Sequence, residues 1–183
     1  MDLTKLRRVV TGHDEAGNSM VLMDGAPPIV RVGDTGGGMA QVWATDTMPA
    51  DNSGTADASV REVKLMAPAN GTLLWMVNMP PSGKVSAQEL ERRARATVEE
   101  MGGAHISKAS KRPDMHATNT VDYVIVLSGE VTLILDNGET TLRQYDVAIQ
   151  RGTNHTWENR GKEPSTIAFV LVDAKTLPHA QAH

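Results

Sequence analysis

Hydrophobic and polar positions alternate with a period of two along most of this chain, and a helical period replaces it once. Residues 3–10 and 19–23 read as short strands around a turn from Gly12 to Asn18. Residues 24–38 are punctuated by Gly25, Pro27, Pro28, Gly33 and the Gly36-Gly37-Gly38 run, and Met39 to Ala44 reads as a strand. Asp46 to Ala58 reads as a long polar loop. Val60 to Met66 alternates as a half-buried strand, with Val60, Glu62 and Lys64 against Arg61, Val63 and Leu65. Gly71 to Met79 is an apolar strand stopped by Pro80-Pro81.

The period then changes. Ser86 and Glu89 have the spacing of a capping box, in which hydroxyl and carboxylate satisfy first-turn N–H groups. Leu90, Ala94, Val98 and Met101 fall on one helical face, and Gly102-Gly103 ends it, so a helix is predicted over 87–101. From Met115 the strand pattern returns as VDYVIVL, VTLILD, Glu139 to Leu142, Asp146 to Gln150, His155 to Asn159 and Thr166 to Val172. Asn137-Gly138 is a hairpin signal. Short strands at such intervals predict an all-β sandwich or barrel, with the helix as an excursion packed on it. No internal repeat is visible, so one domain over 1–174 is expected, followed by a loosely held tail from Lys175 to His183.

Composition narrows the chemistry. The 183 residues suffice for one sizeable core. A net charge of -4 argues against a nucleic-acid-binding surface. The absence of cysteine removes thiolate nucleophiles, disulfides and Cys-bound metals. Lys5, Arg7 and Arg8 are not followed by an apolar h-region, and no stretch approaches the ~20 apolar residues of a membrane span. A cytoplasmic protein without membrane or nucleic-acid partners is expected. Neither a phosphate-binding glycine loop nor a Gly-x-Ser-x-Gly elbow occurs.

The candidate chemistry comes from parity. His116, Thr118, Thr120, Asp122 and Val124 share one face, with Tyr123 and Ile125 on the other. A face bearing His, Thr, Thr and Asp lines something polar. His155, Trp157 and Asn159 alternate in the same way, and pairing of the two segments would bring His116, Asp122 and His155 together. Trp157 reads equally as pocket wall and as core. Thr118, Thr120 and Trp157 are the candidate substrate contacts, and Asp146 is expected to order the turn before its strand. His13, His179 and His183 read as solvated. Lys108, Lys111 and Arg112 form a basic cluster that could attract an anionic substrate to the barrel mouth.

The segment MHATNTVDYVIVLSGEVTLILDNGE and the later DVAIQRGTNHTWENRG resemble the two conserved motifs of the cupin superfamily. The first motif's His-x-His, Glu and Gly positions fall on His116, Thr118, Asp122 and Gly129; the second motif's Gly, His and Asn fall on Gly152, His155 and Asn159. The motif core covers about residues 115–172. The pattern MHxTxTxDY with QRGTxHxW is similar to a group of bacterial single-domain cupins. The resemblance implies a jelly-roll antiparallel β-barrel with extra N-terminal strands. It also implies one divalent ion (Fe, Mn, Ni or Zn) held by His116, Asp122 and His155, and a homodimer. Thr118 stands where the family has a second His, Asp122 where it has Glu, and Tyr145 and Gln150 where it has Gly and Pro. His105 is a further candidate ligand.

Three functions follow as alternatives. The first is a metal-dependent enzyme acting on a small organic acid or carbonyl compound, of decarboxylase, lyase, isomerase or dioxygenase type, in which His116, His155 and Asp122 carry the chemistry. Without a metal, His116 or His155 would act as general base with Asp122 orienting it. The second is a metal-free module that binds a small molecule without converting it, and the third a degenerate site in a structural role.

Overall fold

A computed structural model describes residues 1–34, 36–84, 86–102 and 111–176. Eleven strands and one α-helix are formed among them: β1 (Arg8–His13), β2 (Ser19–Gly25), β3 (Ile29–Val32), β4 (Gly38–Thr45), β5 (Thr72–Met79), α1 (Ala87–Met101), β6 (Thr120–Ser128), β7 (Glu130–Leu135), β8 (Glu139–Arg143), β9 (Val147–Arg151), β10 (His155–Glu158) and β11 (Ser165–Asp173). β1 and β2 pair with each other. The remaining strands form a six-stranded sheet in the order β3-β4-β5-β11-β6-β9 and a three-stranded sheet in the order β10-β7-β8. All pairings are antiparallel, as in a cupin jelly roll.

The hydrophobic core lies between these two sheets. Leu73, Trp75, Val124, Val126, Ile167, Phe169 and Leu171 come from the larger sheet, and Val131 with half-buried Leu142 and Trp157 from the smaller. Burying each such aliphatic side chain contributes about 1.5–3 kcal/mol. The register arranges the interior of the larger sheet in rows. Trp75, Phe169, Val124 and Ala148 face one another across four strands in one row. Two residues along, the row is Leu73, Leu171, Asp122 and Gln150. The interior therefore turns from apolar to polar along the last two strands of that second row.

Several expectations are corrected. Residues 3–10 do not form one strand: Asp2 accepts from the Thr4 N–H and hydroxyl, a 3-10 turn fills Leu3–Lys5, and β1 starts only at Arg8. β3 was hidden among the Pro and Gly punctuation of residues 24–38. Val60 to Met66 is irregular. Gln41, wholly buried on β4, donates to the main-chain oxygens of Ser59 (2.8 Å) and Arg61 (3.2 Å), so side-chain bonds replace a ladder there. Val63 and Ala67 still reach the core.

The helix has the predicted bounds and ends at Gly102, whose φ of 63° is left-handed. Only half of the capping box forms. The Glu89 N–H donates to Ser86 Oγ at 3.2 Å, while the Glu89 carboxylate takes Arg92 and Arg93 instead. Met101 packs into the core; the side chains of Leu90, Ala94 and Val98 lie outside the described ones. The tail from residue 177, with His179 and His183, also lies outside the described residues. Among the described residues no helix is long and apolar enough to cross a membrane.

Candidate functional site

The two motif histidines meet through their main chains. The His116 N–H donates to the His155 oxygen and the His155 N–H to the His116 oxygen, both at 2.9 Å. This is an isolated antiparallel bridge, outside β6 and the partner of β10, which is β7. It places the imidazoles with ring centroids 4.6 Å apart and planes tilted by 46°. His155 is fully buried and His116 half-buried. Trp157 continues the series edge-on, 5.8 Å from His155 and 5.7 Å from Phe169, and so serves both as wall of the site and as core.

Each imidazole is held from the rear. Nδ1 of His116 lies 3.3 Å from the Asp114 oxygen, and Nδ1 of His155 lies 2.9 Å from the Thr153 oxygen. Nε2 of neither ring has a hydrogen-bond partner among the described residues. Asp114 is itself clamped: Arg112 spans its carboxylate (2.9 and 2.8 Å), Thr156 Oγ1 donates to it at 3.0 Å, and Arg112 also reaches Glu158 at 2.9 Å. Burial pushes the Asp114 carboxyl up, but Arg112 outweighs that and leaves it below the usual range. Arg112 is thus a brace beneath His116. Lys111 donates to the Asp136 main-chain oxygen, and Lys108 and His105 lie outside the described residues. His13 is exposed, and Asp146 orders its turn by accepting from the Arg143 N–H at 2.8 Å, both as expected.

The polar face read from parity is seen in the burial. Thr118, Thr120, Asp122 and Val124 are all buried, while Tyr123 is exposed. Thr118 and Thr120 bond each other at 2.8 Å. Asp122 Oδ1 is buried without a hydrogen-bond partner among the described residues. Burial raises the Asp122 pKa to about 6 against a lowering by the Thr120 hydroxyl. Burial, and next the charge of His116, lower His155 to about 3; burial also lowers His116. The site therefore favours uncharged imidazoles and, below about pH 6, an uncharged carboxyl.

Whether these donors fit the implied ion is a matter of convergence. Among the described residues no three His, Asp or Glu side chains stand close enough together to hold one metal. The Thr118 hydroxyl, at the position of the missing His, is engaged with Thr120. The described residues alone do not make the three-ligand set that the ion would need.

Sequence reasoning placed Gln150 where the family has proline and gave it no role at the site. It is buried, stands directly across from Asp122, and its amide nitrogen lies 2.8 Å from His155 Nδ1. A polar residue on the inward parity of β9 was the available signal.

A profile of the cupin domain matches residues 104–172. Phomopsin biosynthesis cluster protein C' of Diaporthe leptostromiformis is 32% identical over 186 residues, covering 96% of this chain and 82% of that protein. The chain belongs to the cupin family. The cupin-domain-containing oxidoreductase srdB of Neurospora crassa is 28% identical over 178 residues, covering 93% of this chain and 74% of that cupin. Both relatives are fungal, whereas the signature had pointed to a bacterial group. A double-stranded β-helix protein from Klebsiella pneumoniae aligns with a TM-score of 0.44 at 16% identity, covering 80% of this cupin and 84% of that chain.

Proposed function

We propose that this cupin is an enzyme that moves a proton beside the carbonyl of a small organic acid or carbonyl compound, with the His116–His155 pair as its chemical centre. The observation that carries this reading is the pairing of two imidazoles whose Nδ1 atoms are tied down and whose Nε2 atoms have no partner among the described residues. His116 is the base, because it is the more accessible of the two and His155 has the weaker basicity. Nε2 of His116 takes the proton, and the C–H electron pair passes into an enolate. The same imidazolium then returns the proton to the neighbouring carbon or oxygen. His155 accepts a hydrogen bond from a substrate hydroxyl, and Trp157 and Thr120 bound the ligand. Relatives named as biosynthesis cluster proteins and oxidoreductases support an enzyme of small-molecule metabolism.

The test is deuterium uptake by pyruvate and dihydroxyacetone in D₂O, followed by proton NMR after chelator treatment. Protein-dependent exchange that falls at least tenfold in His116→Ala is expected. Exchange that survives this change unaltered would refute the assignment. Stoichiometric metal lost on His155→Ala, with dioxygen uptake, would favour the metal-dependent alternative instead.

A further inference from the structure

The solvent side of an antiparallel sheet is ordinarily polar, and the outer face of the large sheet is not. Tyr123 and Leu127 on β6 and Val147 and Ile149 on β9 are 36% to 55% exposed. The register joins them into one surface. Ile149, Tyr123 and Val170 stand side by side across β9, β6 and β11, and Val147, Ile125 and Ala168 form the next row. No charged side chain interrupts these two rows. Charge lies at the ends of β9: Asp146 just before it and Arg151 as its last residue, both exposed and neither in an ion pair among the described residues. The 3-10 turn at Leu3–Lys5 packs on β3, β4 and β5, so it covers the other half of the sheet.

The size of the surface and the rest of the chain say what covers it. A fully exposed large apolar side chain presents about 150–250 Å², so the two rows with Leu127 leave about 450 Å² of apolar surface open, the scale of an interaction site. One side of a standard interface buries about 800 Å², a little over half of it apolar, which is what this face supplies. The segments 103–110 and 177–183 carry only Ile106 and Leu177 as large apolar residues, too few to cover it. We propose that this face is the interface with a second copy of the chain, the outer faces of β6 and β9 packed on each other about a twofold axis. An axis lying in the plane of contact and crossing β9 at its middle turns the strand end for end. Asp146 of each copy then meets Arg151 of the other, and the uncharged rows pack between the two ion pairs. The inner face of the same two strands carries Asp122 and Gln150, so the interface backs one wall of the site.

Sedimentation equilibrium gives both the mass and the dissociation constant. The wild type is expected at twice the chain mass of 19.7 kDa. Ile149→Lys and Tyr123→Lys change exposed side chains and should stay folded by circular dichroism. Each sets like charges near the axis and should raise Kd about a hundredfold or more. Arg151→Glu opposes two carboxylates at each end of β9 and should raise Kd about tenfold, less so at high salt. Val9→Lys, at an exposed apolar position of β1, should keep the wild-type Kd. A monomeric wild type overturns the proposal and leaves the face to a different partner. Folded Ile149→Lys and Tyr123→Lys proteins that dimerise with the wild-type Kd overturn it as well and put the interface elsewhere. No substrate is involved, so the result is independent of the exchange assay.

Discussion

Asp122→Asn isolates the cost of charging the barrel interior. Asp122 is 5% exposed and its Oδ1 has no partner among the described residues, so an ionised Asp122 is poorly solvated when the protein is folded. Its pKa rises from 3.8 to about 6. The folded state binds this proton more tightly than the unfolded state. The associated stability is complete below 3.8 and is lost as the pH climbs through about 6. A shift of roughly two units corresponds to about 3 kcal/mol. Asparagine keeps the shape and never ionises. The variant should therefore gain on the wild type by about 3 kcal/mol between about pH 3 and pH 8, whatever its offset at pH 3. For a chain of this size that is about 6–12 °C in Tm. Urea unfolding of both proteins at the two pH values, after chelator treatment, measures the gap, and all other titrating groups cancel. A gap that stays constant with pH would mean that Asp122 ionises as easily inside the barrel as in the unfolded chain.

Other residues give independent tests. Tyr145 sits at φ 74° and is 78% exposed, so Tyr145→Gly relieves a left-handed conformation while losing little contact; a gain of about 1 kcal/mol in denaturant unfolding is expected. A Cβ on Gly71 would overlap the Thr45 carbonyl oxygen and stand 2.7 Å from its carbon, all rigid backbone, so Gly71→Ala should cost about 3 kcal/mol or more. Gly83→Ala, with open space around it, should be near neutral by the same measurement. Asp57 pairs with buried Arg8, which holds its carboxyl down to about 2. Asp57→Ala should cost about 2–3 kcal/mol at neutral pH, a figure discounted for partial exposure, and the difference should vanish as the pH falls from about 4 toward 2.

Much of this architecture was legible because parity is a local property. The face of Thr118, Thr120, Asp122 and Val124 and the bounds of α1 follow from period two and period 3.6 in the sequence. What failed was pairing. Val60 to Met66 alternates like a strand, but the Gln41 amide took the main-chain oxygens that a neighbouring strand would need. Alternation shows that one side is covered and does not show by what. Pairing of the two histidine segments was considered from parity, and they do pair, but only at His116 and His155, because β6 ladders with β11 and β9 and β10 with β7; register between distant segments leaves no mark in either one. Gln150 was given no role for a related reason: its importance comes from Thr153, His155 and Asp122 around it, not from its residue type.

The bridge between His116 and His155 has a kinetic consequence. Among the described residues, two main-chain hydrogen bonds outside any continuous ladder join the segment of His116 to that of His155. Peeling residues 111–119 away from β10 would separate the rings while both sheets stayed paired. The amide protons of these two residues should then exchange with solvent deuterium in concert, and faster than those of β11 at the centre of the large sheet. Assembly and dismantling of the centre thus form an equilibrium distinct from global unfolding, one that a bound ligand touching both rings would pull toward the assembled side.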